Sequence, residues 1–373
     1  MGHGAAFAAP LRCAGHGMEL TRLTADGVRC LRQVELRPCG GLNLLLGPNG
    51  AGKTSVLEAL YLLGSGKSFR FGGHDAVIRR GDPALRVYAE LRFEGREERV
   101  GFERSRQGWQ GLHNGIRVGD LAELASLVPV VCFSPESHEL VSGGAESRRR
   151  FFDWIVFHVE PDFAFAYRRY ARLLRQRNAL LKRASTREEL LVWTAELAEA
   201  GEVLAEFRAR VFPAFAAAMT ASLSQLLGEM GAAEVAHKRG WREGIGLAER
   251  LQDLLPRELE VGHTLAGPHR ADWLVELGGQ AIREQGSRGQ QKLVALAAVL
   301  VAAGLYRARL GHPPVVALDD LVSELDVEHQ HRALRVCEGL GAQLWVTGTQ
   351  RSLAVDSWPR EYRVFHVEHG LVT

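Results

Sequence analysis

Residues 42–63, LNLLLGPNGAGKTSVLEALYLL, limit what this chain can fold into more than any other stretch. An apolar run (Leu42, Leu44 to Leu46) leads into Gly47, Pro48, Asn49, Gly50, Ala51, Gly52, Lys53, Thr54 and Ser55. A segment with an apolar side at Val56, Leu57, Leu60 and Leu63 follows. Strand, glycine loop and helix, with GxxxxGK[ST] at the junction, predict a nucleoside triphosphate site. The glycines let successive N–H groups point into one concavity. The helix start adds partial positive charge and Lys53 a full one, and the Thr54 hydroxyl can hold Mg²⁺. A plain glycine turn with an exposed lysine would carry the same letters without needing the strand before it or the helix after it.

At 373 residues the chain can bury a full α/β core and a second lobe. Its 46 % hydrophobic and 24 % charged residues are those of an ordinary globular chain. The net charge of +2 does not diagnose a nucleic-acid binder, so any such role has to come from local charge distribution. Cys13, Cys30, Cys39, Cys132 and Cys337 are scattered and lack CxxC spacing. They point to a reducing, cytoplasmic setting rather than to zinc or a disulfide framework. No uninterrupted apolar run approaches about 18 residues, so no membrane span is expected. Residues 1–17 have no usable periodicity and are expected to be disordered, or to precede a functional start at Met18.

Residues 18–46 read as strands at 19–24, 28–36 and 42–46, with Ala25-Asp26-Gly27 turning the first pair. Leu85, Val87, Ala89, Leu91 and Phe93 alternate as a half-buried strand, and Val130 to Phe133 is a buried one. From about residue 136 the pattern becomes helical. Phe163, Tyr167, Tyr170, Leu174 and Leu181 form one stripe; Leu190, Trp193, Leu197, Ala200, Leu204, Phe207 and Val211 form a second. A third apolar set follows Pro213. The prediction is a helical hairpin and a returning helix over 136–261, an arm of roughly 35 Å. It is inserted between an N-terminal half (18–135) and a C-terminal half (262–373) of an α/β domain with a mixed sheet.

Four features of the last segment bear on the glycine loop. Pro314 to Asp320 is an apolar strand ending in two carboxylates: Asp319 is placed to hold Mg²⁺ opposite Thr54, and Asp320 to orient or deprotonate a water. Ser287, Gly289 and Gln290 open a helix, and a serine–glycine turn there is either a plain N-cap or a second anion site. Its place just upstream of the Asp-Asp strand favours the second. One phosphate tail does not need two such sites in one chain, so Ser287 is expected to serve a nucleotide held by a second copy. Ser323-Glu-Leu-Asp326 follows the carboxylates, and Thr347-Gly-Thr349 ends the next strand, where a polar side chain could sense a γ-phosphate.

This order, with GKSFR (66–70), VVCFSPES (130–137), RRRFFD (148–153), LLRQRNALLK (173–182), AGPHRAD (266–272), GSRGQQK (286–292) and LDDLVSELD (318–326), is that of the ABC-type ATPases. Within them, from about Glu19 onward, the chain resembles the RecF family, bacterial recombination mediators related to SMC proteins. It departs from that pattern in lacking an aromatic residue in VRCLRQV (28–34) and in Ser137 and Ala271 where acids are usual; Asp320 stands where most ABC ATPases have Glu, and there it fits the RecF pattern. The resemblance implies ATP and Mg²⁺, slow DNA-stimulated hydrolysis and an ATP-dependent homodimer. It also implies DNA near single-strand gaps and cooperation with RecR and RecO in loading RecA. Arg168, Arg172, Arg175 and Lys182 lie along one side of the first arm helix, which is either a solvated face or a DNA-backbone contact. Arg177 falls inside the apolar stripe and is expected to be paired and partly buried, while Arg148 to Arg150 either touch DNA or bind an acidic neighbour. A transporter ATPase subunit would need a membrane partner and leaves the basic arm without a use. A P-loop kinase would need neither Ser287 nor a dimer.

Overall fold

The computed structural model describes residues 18–70, 74–183 and 186–373. The expectations for residues 1–17 lie outside them. The described residues form two compact units, one from those of 18–137 with 292–373, the other from those of 138–291.

The first unit carries two six-stranded sheets. One is antiparallel, in the order β2-β1-β4-β5-β6-β7. Its strands are β1 (Glu19–Asp26), β2 (Gln33–Leu36), β4 (Ala84–Phe93), β5 (Arg96–Ser105), β6 (Gly108–His113) and β7 (Ile116–Arg117). The connection from β1 to β2 is a loop over 27–32, not a tight turn. The strand expected from residue 28 begins at Gln33, because Val28 leaves the ladder to bridge Ile78 and the Arg29 N–H donates to Val77 O.

The other sheet has the order β15-β14-β3-β13-β12-β8. It comprises β3 (Leu42–Leu46), β8 (Val130–Phe133), β12 (Val315–Leu318), β13 (Leu344–Gly348), β14 (Tyr362–Glu368) and β15 (Leu371–Val372). The strands from β14 to β8 run parallel to one another. β3, β12 and β13 are buried at every position, as mainly apolar strands with both faces covered must be. Helix α1 (Lys53–Ser65) packs its Val56, Leu57 and Leu60 into the same core as Leu45, Ala317 and Trp345. Helix α2 (Leu121–Leu127), capped by the Asp120 carboxylate on the Glu123 N–H, precedes β8.

The second unit holds α3 (Glu139–Ser142), α4 (Ala145–Val159), α5 (Phe163–Leu181), α6 (Arg187–Leu227), α7 (Leu247–Val261) and α8 (Ile282–Gln285). A three-stranded antiparallel sheet joins them, built from β9 (Ala233–Lys238), β10 (Asp272–Leu277) and β11 (Gln280–Ala281). The sequence reading missed β9. Because β9 pairs with β10 over six positions, residues 262–291, expected with the C-terminal half of the head, belong to this unit instead.

Two further expectations change. The returning helix after Pro213 is not separate: α6 runs through Pro213 for 41 residues, about 60 Å at 1.5 Å per residue. On α5 the buried stripe is Phe163, Ala166, Tyr170, Leu173, Arg177 and Leu181; Tyr167 is 43 % exposed and Leu174 is only half-buried.

Helix α9 (Arg288–Leu310) crosses from the second unit into the first, where α10 (Leu321–Glu324), α11 (Val327–Leu340) and α12 (Leu353–Asp356) complete the fold. Two helices, 188–230 and α9, are long and apolar enough to cross a membrane by length and composition. Their apolar character is an average over windows interrupted by charged and polar residues, and two thirds of the α9 window is buried inside the protein (67 %).

Candidate functional site

The glycine loop is held by main chain on both sides. The Gly47 N–H donates to Gly348 O at 3.3 Å and the Gly370 N–H to Ala51 O at 2.8 Å. A Cβ on Gly47 would lie 2.0 Å from Val367 O, and one on Gly52 (φ +115°) 3.0 Å from Cys30 Sγ. Neither position tolerates a side chain, and the loop between them curls as a phosphate cradle requires. Lys53 is buried, its Nζ donating to Gly47 O (2.8 Å) and Pro48 O (3.0 Å). Burial lowers the pKa of its ammonium, while the charges of Asp320 and Asp319 act the other way.

The expected partners across the loop meet. Thr54 Oγ1 donates to Asp319 Oδ1 at 3.0 Å, joining the first turn of α1 to the end of β12. Asp319 is 2 % exposed. Burial pushes its carboxyl above the ordinary range, opposed by hydrogen bonds from Thr347 and Thr54. A hydroxyl and a carboxylate oxygen side by side are the hard donors that Mg²⁺ takes from a protein. Asp320 follows in a left-handed conformation (φ +53°), with Oδ1 accepting from Ser323 Oγ at 2.8 Å.

Of the two threonines at the end of β13, where a polar side chain could sense a γ-phosphate, Thr347 is fully buried and bonded to both carboxylate residues, while Thr349 is exposed. Ser287 and Gln290 form a capping box: the Gln290 N–H donates to Ser287 Oγ (3.3 Å) and the Ser287 N–H to Gln290 Oε1 (2.8 Å). Ser287 and Gly289 are exposed and belong to the second unit. In the first unit, Lys292 forms an ion pair with Glu324, one turn beyond Asp320.

Sequence reasoning missed a charged anchor behind the loop. Glu58, with no exposure, accepts from Arg29 Nε (2.9 Å) and Nη2 (2.8 Å) and from Ser68 Oγ. It ties the 27–32 loop and GKSFR to α1. A lone acid inside VLEALYLL was the signal for it. The same arrangement brings Cys30 Sγ to 3.5 Å from Ser55 Oγ.

In the second unit, Arg172, Arg175 and Lys182 are exposed on the arm and Arg168 is half-buried. Arg177 is wholly buried, bonded to Glu258, Thr194 and Thr264. Arg148 pairs in two places with Asp272 (2.7 and 3.0 Å), Arg149 donates to Ala271 O, and Arg150 pairs with Glu146 on the surface.

The family described as "RecF/RecN/SMC N terminal domain" matches residues 19–373. The chain is 43 % identical to the DNA replication and repair protein RecF of Stenotrophomonas maltophilia, covering 95 % of this chain and 99 % of that one. It is 42 % identical to the RecF of Xanthomonas axonopodis pv. citri, covering 95 % and 98 %. Among solved structures it is similar to the recombination mediator RecF with ATP, in the RecFOR pathway, at a TM-score of 0.86 and 26 % identity over 100 % and 99 % of the two chains. The Smc head domain from Pyrococcus furiosus, at 15 % identity and a TM-score of 0.58 over 95 % of each chain, shares the ABC-type head fold.

Proposed function

The chain belongs to the RecF family, and on that premise we propose that it is an ATP-driven DNA clamp of repair and replication restart. The observation that carries this reading is the Thr54–Asp319 contact, which sets a hydroxyl and a carboxylate beside a lysine-bearing loop. Gly47 to Ser55 cradle the phosphates and Lys53 turns from the loop's own carbonyls to the β- and γ-phosphates. Thr54 and Asp319 would hold Mg²⁺, which when bound neutralises phosphate charge. Asp320 accepts the proton of the attacking water or orients it.

Ser287 and the start of α9 from a second copy close over the γ-phosphate, so two nucleotides join two chains. Hydrolysis removes the shared phosphate and the pair separates; the γ-phosphate is the differential contact that shifts the equilibrium. The short Asp320 suits slow, DNA-stimulated turnover. Arg168, Arg172, Arg175 and Lys182 contact the DNA backbone, giving salt-sensitive, sequence-independent binding. RecR and RecO are the expected protein partners, in the cytoplasm.

Sizing in ATP and in ADP, with and without duplex DNA, tests this for wild type, Lys53→Ala and Ser287→Arg. Wild type should dimerise in ATP and bind DNA only then. Lys53→Ala should lose nucleotide, and Ser287→Arg should bind ATP yet stay monomeric. A wild type that stays monomeric in ATP and binds DNA equally with either nucleotide would sink the clamp.

A further inference from the structure

Thr347 is the fourth of the five residues of the buried strand β13, where a hydroxyl has no packing reason to be. Its neighbours Leu344, Trp345 and Val346 are as buried as it is. The parallel register pairs Leu318 with Val346, so the next residues along, Asp319 and Thr347, fall side by side. Two-residue alternation puts Thr347 on the face of Trp345, and Asp319 on that of Ala317. Trp345 and Ala317 both pack in the core that α1 covers.

The Thr347 hydroxyl works as donor and acceptor at once. It donates its proton to Asp319 Oδ1 at 2.6 Å and accepts the Asp320 main-chain N–H at 2.7 Å. One side chain thus grips the carboxylate of one aspartate and the backbone of the next. Asp320 needs that grip, because its φ of +53° is a conformation that side chains other than glycine seldom adopt. The peptide that follows Asp320 is held too, Asp320 O accepting from the Ser323 and Glu324 N–H groups, each at 3.0 Å. Thr54 also donates to Asp319 Oδ1, but Thr54 is the hydroxyl that the cation would share. Thr347 is the donor with no other task.

Resting on the roles of Asp319 and Asp320 given above, we propose that Thr347 is a positioning residue for both carboxylates. It fixes the Asp319 oxygen toward the cation and holds the Asp320 turn that aims the second carboxylate at water.

The test compares Thr347→Val, Thr347→Ser and Thr347→Cys in the full chain. Fluorescent ADP binding is measured without Mg²⁺ and across a Mg²⁺ titration, and kcat and KM are measured for ATP. Thr347→Val should leave metal-free nucleotide binding intact, because Lys53 and the loop are untouched. The Mg²⁺ needed for half-maximal tightening should rise about tenfold, and kcat should fall on the order of 10- to 100-fold with little change in KM. Thr347→Ser should restore most of both. A valine variant with wild-type Mg²⁺ response and kcat, or a serine variant as impaired as valine, would overturn the assignment. Should the valine protein be insoluble, serine against cysteine decides: the sizes are close, the thiol is a weak donor, and equal behaviour refutes a role for the hydroxyl. A wild type whose nucleotide binding ignores Mg²⁺ would instead remove the metal role of Asp319, a failure seen before any variant is made.

Discussion

Arg177 and Glu258, neither exposed to water, meet at 2.6 Å although 81 positions apart in the chain. Arg177 Nε donates to Thr194 and Nη1 to Thr264, and Glu258 Oε1 accepts the Leu265 N–H. Every charge in the cluster is met, which is what lets an ion pair stand inside an apolar stripe.

Removing one partner strands the other. Arg177→Ala should cost roughly 3–5 kcal/mol, read as a lower midpoint in urea unfolding. Arg177→Met with Glu258→Leu removes both charges and should recover most of that loss. A single variant as stable as wild type would mean that water reaches the cluster.

The glycines of the phosphate loop differ in what they exclude. Gly47→Ala drives a methyl to 2.0 Å from Val367 O, so β3 and β14 must part, at about 3 kcal/mol or more. Gly50→Ala, at φ +78° but facing open space, should cost only about 1–2 kcal/mol. Thermal melting of the two variants separates them, and equal losses would contradict the close approach at Gly47.

Cys30 is exposed, whereas Cys39 and Cys337 are buried and Cys132 is half-buried. With its Sγ 3.5 Å from Ser55 Oγ, a nucleotide in the loop should shield it. Maleimide labelling at the Cys30 peptide should slow severalfold in ATP and return to the bare rate in Lys53→Ala. Labelling that is indifferent to ATP would place the phosphates elsewhere.

Acid should loosen the second unit through His269. Burial lowers its pKa to about 4, with Arg270, Arg149 and His263 adding to the effect and the bond to Thr264 O opposing it. Thr264 O can only accept, so Nε2 carries the proton and Nδ1 accepts from Tyr170 Oη at 2.6 Å. A folded value below the ordinary 6.5 means that the unfolded chain binds the extra proton. The contribution is complete above pH 6.5 and is lost as pH falls toward 4, up to about 3 kcal/mol. His237, lowered to about 4 by burial and by Arg208 and Arg239, adds to the same slope. His269→Gln should flatten part of the decline in melting temperature between pH 6.5 and 4; an unchanged slope would refute the assignment.

Local chemistry made the head legible. A glycine loop between an apolar strand and a helix, and a second strand ending in Asp319 and Asp320, each announce themselves within a few residues. Thr347, Glu58 and Cys30 do not, because their meaning lies in partners far along the chain, and a threonine ending a strand looks the same whether it faces solvent or two aspartates. Pro213 misled for the opposite reason. As a local signal it reads as a break, yet the apolar face it belongs to continues on both sides: Phe212 and Phe215 pack together, and each packs on Phe152. β9 stayed hidden because six residues with one half-polar face carry little signal until β10, 34 to 44 positions on along the pairing, is laid beside them.

The order β14-β3-β13 has a consequence for synthesis on the ribosome. The phosphate loop is complete by residue 55, but both strands that flank β3 lie beyond residue 343. Until they emerge, β3 has two bare edges, and Gly47 and Ala51 lack the partners supplied by Gly348 and Gly370. A growing chain therefore carries this loop without the main-chain partners that hold it, and a ribosome stalled short of residue 344 would carry an apolar strand with both edges open to a chaperone.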